Sequence, residues 1–272
     1  MIEQGPFRYL KIGVRVAAML PAFALGLPAQ WVALRVAPGL ARWMPVLFHR
    51  YLLIVLGVRV EKIGALDPRK PILIASNHLS WLDIVVISSL APVSFIAKSE
   101  VGAWPLFGTL ARLQRSIFVE RQKRGKTGEV NRSIAARLAD GDALVLFAEG
   151  TTSDGSRILP FRSALIGAAQ AVADGGEAGR SIVQPLNIAY PRIAGLPTGR
   201  VDHPLIAWHG DMELLPHLGD FLTLPSVDCR VTFLGARDVA PGSDRKILAR
   251  EMEAEIRRSH AHALTGREPS TA

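Results

Sequence analysis

A chain of 272 residues suffices for one large domain or two small ones, and a content of 49% hydrophobic residues excludes wholesale disorder. The net charge of +8 suits an anionic partner such as lipid headgroups, nucleic acid or an acidic carrier protein, while a mean hydropathy of +0.23 leans toward membrane contact. The single cysteine, Cys229, excludes an intrachain disulfide and a cysteine metal cluster; it sits in the alternating run Val227-Asp228-Cys229-Arg230-Val231-Thr232-Phe233 as a small buried residue of a strand.

Residues 1–60 differ from the rest. No charged residue occurs from Val16 to Leu34, a length near that needed to cross a bilayer. Pro21, Pro28 and Gln30 weaken the case for one straight spanning helix. A basic amphipathic piece around Arg42, His49 and Arg50 leads into a second apolar stretch, Tyr51 to Val58. Arg8, Lys11 and Arg15 precede the first stretch and Arg35, Arg42, Arg50 and Arg59 follow it, so charge gives no clean orientation for a single crossing. A helical hairpin lying in one leaflet fits at least as well. A buried soluble hairpin, and a signal peptide cleaved after Ala22-Phe23-Ala24, are the other readings.

From about residue 65 strands and helices alternate. The pattern predicts strands at 71–76, 93–97, 116–120, 143–148, 181–190, 204–208 and 227–234, and helices at 81–90, 105–113, 127–139, 162–173 and 243–259. That is an α/β fold with a mixed or largely parallel sheet flanked by helices. The expected division is a membrane-associated helical segment over 1–60, one catalytic or binding domain over 61–265, and a frayed polar tail over 266–272.

The stretch that organises the domain is Ser76-Asn77-His78-Leu79-Ser80-Trp81-Leu82-Asp83, between the apolar runs 71–75 and 84–87. Positions five apart on a helix point about 140° away from each other, so His78 and Asp83 meet only if the chain turns between them. Ser80 and Asp83 have capping-box spacing, which starts a helix at about Trp81 and leaves His78 just outside it. A neutral His held by a carboxylate is a general base near pH 7. The plainer reading makes Asp83 a cap and His78 a loop residue.

Three further stretches carry chemistry. Ser116 to Val119 is a short strand ending in Glu120-Arg121, where Arg121 is a candidate anion ligand or part of a solvated basic loop. Ala143 to Ala148 is a strand followed by the tight loop Glu149-Gly150-Thr151-Thr152-Ser153-Asp154-Gly155, whose backbone N–H groups can approach an oxyanion. Glu149, beside an apolar strand, needs a partner or a solvated cleft. Leu159-Pro160-Phe161-Arg162 and Gln184-Pro185-Leu186-Asn187 follow. His203, His209, His217, His260 and His262 lack a ligand array and read as surface or structural; no metal, Walker or dinucleotide motif is present.

Asn77-His78 with Asp83 resembles the Asn-His-x-x-x-x-Asp motif of the glycerolipid acyltransferase family, the group containing 1-acylglycerol-3-phosphate acyltransferases. Phe118-Val119-Glu120-Arg121 resembles its second motif, with Arg115 where the family usually has Gly. Phe147-Ala148-Glu149-Gly150-Thr151-Thr152-Ser153 resembles the third, with Ala148 for Pro and Thr152 for Arg, and the stretches at 159–162 and 182–188 resemble two more. The resemblance implies transfer of a fatty acyl group from acyl carrier protein or coenzyme A to a lysolipid hydroxyl. His78 is then the base and Asp83 its orienter, with Arg121, Glu149, Gly150 and Thr151 around the acceptor headgroup. The oxyanion site lies near Gly150 or at the start of the 81–90 helix. It implies no metal and no bound cofactor, membrane lipids and no nucleic acid as partners, and a bacterial inner membrane with the catalytic domain facing the cytoplasm.

The third-motif variant is similar to the bacterial lyso-ornithine lipid O-acyltransferase branch. Without an Arg at Thr152, a phosphate loses one charge-assisted bond, whereas a headgroup with a carboxylate and an amine suits Arg121 and Glu149. Lyso-ornithine lipid is the expected acceptor and lysophosphatidic acid the alternative or second one. A non-catalytic membrane-surface binding protein and a hydrolase using the same dyad are the readings from other classes.

Overall fold

The computed structural model describes residues 6–119, 127–175 and 180–266. Two helices open the chain, α1 (Pro6–Val36) and α2 (Pro38–Leu56), packed as a hairpin. Helix α1 runs unbroken through Pro21 and Pro28. Both helices are long and apolar enough to cross a membrane by length and composition. Gly57, with φ of 73°, ends α2 in a left-handed cap and turns the chain directly into strand β1 (Val58–Ile63). The expected division between residues 60 and 61 therefore falls inside a strand.

The remaining elements are β2 (Ile72–Ser76), α3 (Leu82–Leu90), β3 (Ser94–Lys98), a 3-10 turn (Ser99–Ala103), α4 (Pro105–Leu113), β4 (Ile117–Val119), α5 (Thr127–Ala139), β5 (Ala143–Phe147), α6 (Ser163–Gly175), β6 (Ser181–Ile193), β7 (Leu196–Pro197), a second 3-10 turn (His203–Leu205), α7 (Leu214–Phe221), β8 (Val227–Phe233), β9 (Arg237–Val239) and α8 (Arg245–Thr265). The sheet order is β1-β8-β6-β2-β5-β3-β4, with β7 and β9 paired to β6. Strands β6, β2, β5, β3 and β4 are parallel to one another, β8 is antiparallel to β6, and β1 is parallel to β8. The sheet is mixed and flanked by helices.

Strands β2 and β5 are apolar at nearly every position because both faces are covered. Ile72, Ile74, Val145 and Phe147 face a core shared with α2, α3 and α7, while Leu73, Ala75, Leu144 and Leu146 face one shared with α5, α6 and α8. The alternation follows the two-residue period of a strand.

Helix α1 is tied to this body by its basic residues. Arg8 pairs with Asp220 at 2.6 Å, Lys11 donates to the Thr223 carbonyl at 2.8 Å, and Arg15 donates to the carbonyls of Leu222 and Leu224 at 2.9 Å each. These cations cap the carbonyl-rich C-terminal end of α7.

The expected strand at 204–208 is a 3-10 turn over His203–Leu205. Pro204 has no N–H for a ladder, and the local bonds Leu205 N–H to Asp202 and Ile206 N–H to His203 close the turn instead. Of the expected tail at 266–272, Gly266 caps α8 and residues 267–272 lie outside the described residues.

Candidate active site

The site lies where β2 and β5 end at their C-terminal edges, beside the middle of β6. Strand β2 pairs with β6 up to Ser76 and Leu186. Beyond that, the Asn77 side-chain amide takes over: Nδ2 donates to the Ile188 carbonyl and Oδ1 accepts its N–H, both at 2.9 Å. The main chain of His78 is then held from two sides. Its N–H donates to Glu149 Oε1 at 2.8 Å and its carbonyl accepts from Ser153 N–H at 2.8 Å.

The His78 ring lies flat on Phe147, with centroids 3.6 Å apart and planes 9° from parallel. Its Nδ1 is 2.8 Å from Asp83 Oδ2. That oxygen also accepts the N–H groups of Leu79 at 2.7 Å and Ser80 at 2.9 Å. The other carboxylate oxygen accepts the Tyr190 hydroxyl at 2.6 Å. Asp83 has no solvent exposure, and four donors converge on a group that only accepts when ionised. Such a contact set fixes the proton on His78 Nδ1 and leaves Nε2 as the acceptor.

The capping box forms by half. Asp83 accepts the Ser80 N–H, but Ser80 Oγ is buried without a partner and the Asp83 N–H goes to the Ser80 carbonyl at 3.1 Å. Helix α3 begins at Leu82 with Trp81 at its cap, because Asp83 closes the turn by itself.

Glu149 is 2% exposed, and its oxygens are both taken by backbone N–H groups, His78 at 2.8 Å and Leu159 at 2.9 Å. Burial pushes its carboxyl up to about 7, against the pull of those two bonds. The residue expected to face a headgroup amine is instead a brace between the histidine turn and the segment before Arg162. Gly150 adopts φ of 75°, and a side chain there would meet Arg162, whose Nε lies 2.8 Å from the Cβ position. Its N–H is used within the turn, 3.0 Å from the Phe147 carbonyl. Thr151 is exposed beside it, as is Arg162. Arg121 lies outside the described residues.

Tyr190 was not among the expected site residues. Its hydroxyl also bonds Cys229, and burial with the nearby Asp83 charge pushes its pKa well above the usual phenol value. It stands at an irregularity where β6 shifts register against β8, between Ala189 and Arg192. A bulge of this kind re-aims side chains next to a site. The signal in the sequence is Pro191, which cannot donate to a ladder. His203, His217 and His260 are buried, and His260 reaches from α8 to the Gly155 carbonyl at 3.1 Å, bracing the loop that follows β5.

The family profile described as Acyltransferase matches residues 57–189, which include all of this geometry up to the residue before Tyr190. The lyso-ornithine lipid O-acyltransferase of Brucella abortus is 47% identical over 259 residues, covering 95% of this chain and 97% of that protein. The chain belongs to the acyltransferase family.

Other members are similar at greater distance. The lyso-ornithine lipid O-acyltransferase of Rhizobium meliloti is 44% identical over 90% of this chain and 84% of its own. The 1-acyl-sn-glycerol-3-phosphate acyltransferase of Neisseria meningitidis is 31% identical over 76% of this chain and 77% of its own. The fold of this acyltransferase matches the crystal structure of the 1-acyl-sn-glycerophosphate (LPA) acyltransferase PlsC from Thermotoga maritima, with a TM-score of 0.66, 18% identity, and coverage of 97% of this chain and 100% of that one.

Proposed function

We propose that the chain moves a fatty acyl group from a thioester, on acyl carrier protein or coenzyme A, to the hydroxyl of lyso-ornithine lipid. The observation that carries the acceptor is the 47% identity to a protein named for that reaction, over nearly the full length of both chains. The Thr at position 152 supports it, since the third motif then lacks one cation for a phosphate.

In this reading His78 Nε2 takes the acceptor hydroxyl proton as the oxygen attacks the thioester carbonyl. Asp83 steadies the imidazolium that forms, and Tyr190, Leu79 and Ser80 hold Asp83. The tetrahedral intermediate expels the thiolate, which recovers the proton from His78 Nε2. One oxygen ester forms and one thiol leaves. The acceptor oxygen is the nucleophile, so the protein supplies base, orientation and charge, and the reaction as written uses no metal or bound cofactor.

Phe147 covers one face of the imidazole, so the hydroxyl arrives in the ring plane. Arg121 and Arg162 are the cations assigned to the headgroup carboxylate, and Arg162 lies against Gly150. The two apolar helices hold the protein on the inner membrane, with the sheet on the cytoplasmic side, where acyl thioesters are made.

The test compares lyso-ornithine lipid with lysophosphatidic acid at equal donor, then repeats both with Thr152→Arg. The expected result is faster turnover of lyso-ornithine lipid by the natural chain and a shift toward the phosphate acceptor in the variant. Turnover of lysophosphatidic acid alone overturns the acceptor assignment, and thioester cleavage that ignores both acceptors makes the protein a hydrolase.

A further inference from the structure

The opposite edge of the sheet holds a second polar site. A cavity of about 120 Å³ opens where β2, β3 and β5 begin, under the hairpin formed by α1 and α2. It is separated from His78 by the length of β2, five residues or about 17 Å of extended chain. Arg42 of α2, Lys70 before β2 and Arg115 before β4 line it, with one carboxylate, Asp142.

The charges do not balance. Asp142 is taken by Arg137 at 2.6 Å and Arg115 at 3.2 Å, with Arg42 at 3.9 Å. Lys70 has no ion-pair or hydrogen-bond partner among the described residues. Gln30, 6% exposed, also lines the cavity, and its amide nitrogen donates to the carbonyls of Ala41 and Leu113 at 3.0 Å each, which ties α1 to α2 and α4 at this point. Three cations beside one carboxylate fit a ligand with anionic oxygens.

The backbone points the same way. Arg115 has φ of 60°, a left-handed conformation that costs a side-chain-bearing residue about 1–2 kcal/mol relative to its ordinary region. Strain of this sort persists where a side chain has a task. On the hairpin, Trp31, Leu40 and Trp43 are exposed and lie close in sequence to the lining residues Gln30 and Arg42, the mixture of aromatic and basic residues that settles at a lipid headgroup layer.

We propose that this cavity binds a phosphate ester, with Arg42, Lys70 and Arg115 on the phosphate. The group comes either from the headgroup of an anionic membrane lipid or from free glycerol phosphate. Bound there, it bridges α2 to the beginnings of β2 and β4.

The test uses the full chain in a neutral detergent and follows its thermal midpoint. Dihexanoyl phosphatidylglycerol, dihexanoyl phosphatidylcholine, sn-glycerol 3-phosphate and sodium chloride at matched ionic strength are added in turn. The expected result is a saturable rise of about 5 °C or more at a hundredfold excess over Kd. The rise is lost in the pair Arg115→Gly and Lys70→Met, of which the first also relieves the left-handed strain. Arg42→Gln, on a half-exposed side chain, serves as a second variant should the pair fold poorly. A rise with phosphatidylglycerol alone assigns the site to lipid, and a rise with glycerol phosphate assigns it to the free ester. Glycerol phosphate acting at the catalytic end would shift natural and altered chains alike. If no ligand produces a rise that the altered chains lack, the proposal is wrong.

Discussion

At its C-terminal end strand β2 delivers His78 into a setting where the contacts around it close on themselves. Asp83 has four donors, Glu149 has two, and Asn77 completes the ladder to β6. At its N-terminal end the same strand follows Lys70, beside a cavity whose cations outnumber its one carboxylate, Asp142. The first arrangement is rigid before any substrate arrives, which is what a base near an attacking oxygen requires. The second carries more positive charge than Asp142 can match. Polar groups at the two ends of one strand thus serve catalysis and binding by opposite means, saturated hydrogen bonding at one and unbalanced charge at the other.

The comparison breaks most visibly with His78→Ala. Acyl transfer should fall by about a thousandfold, the scale of a general base, while the thermal midpoint stays put. Residual turnover above a tenth of normal in a folded variant would remove His78 from the role. Asp142→Asn, at the other end, should do the reverse. It strips the counter-ion from Arg115 and Arg137, and with partial solvent screening the loss is about 2 kcal/mol of stability, read by denaturation, with kcat of the folded protein kept. A collapse of kcat would mean that the two ends are coupled.

Tyr190→Phe sharpens the first end. Removing one hydrogen bond to a charged group should lower kcat about tenfold and leave the acceptor KM unchanged, because Tyr190 acts through Asp83 and His78. A rise in KM with constant kcat would place Tyr190 on the substrate instead.

Glu149→Gln gives the smallest signal, a change of slope. The carboxyl sits at about 7 in the fold and at its ordinary 4.5 when unfolded. The folded chain therefore holds the proton more tightly between those values. The stability linked to this group is complete below 4.5 and is lost as pH rises through about 7. The slope for one proton is about 1.4 kcal/mol per pH unit, and it should vanish in the variant, whatever its absolute stability. Equal slopes in the two proteins would show that Glu149 titrates normally.

Much of this organisation was legible in the residues. Strands β2 and β5 announce themselves as short apolar runs because helices cover both their faces, and α3 follows from the turn that precedes it. His78 and Asp83 were legible because a local turn joins them. Tyr190 was not, since 107 residues separate it from Asp83 and only the register shift in β6 aims it. Arg8, Lys11 and Arg15 read as membrane flanks because charge counts do not show that the end of α7 offers carbonyls to them. Glu149 read as a headgroup ligand because sequence does not show backbone donors, and two of them claim it. Arg115 stood out only as a replacement of Gly; its backbone angle gives that substitution a physical meaning.

The amide of Asn77 has a consequence for how the chain may be changed. It is a peptide bond carried on a side chain, with one donor and one acceptor at the spacing a strand partner would offer. The polymer can therefore bend away while the fabric of the sheet continues one stitch further. A carboxylate there would set oxygen against the Ile188 carbonyl, an alkyl group would leave both Ile188 groups hanging, and one more methylene would overshoot. Asparagine next to His78 is thus required by weaving rather than by chemistry, and a search for its part in the reaction would be looking at the wrong trade.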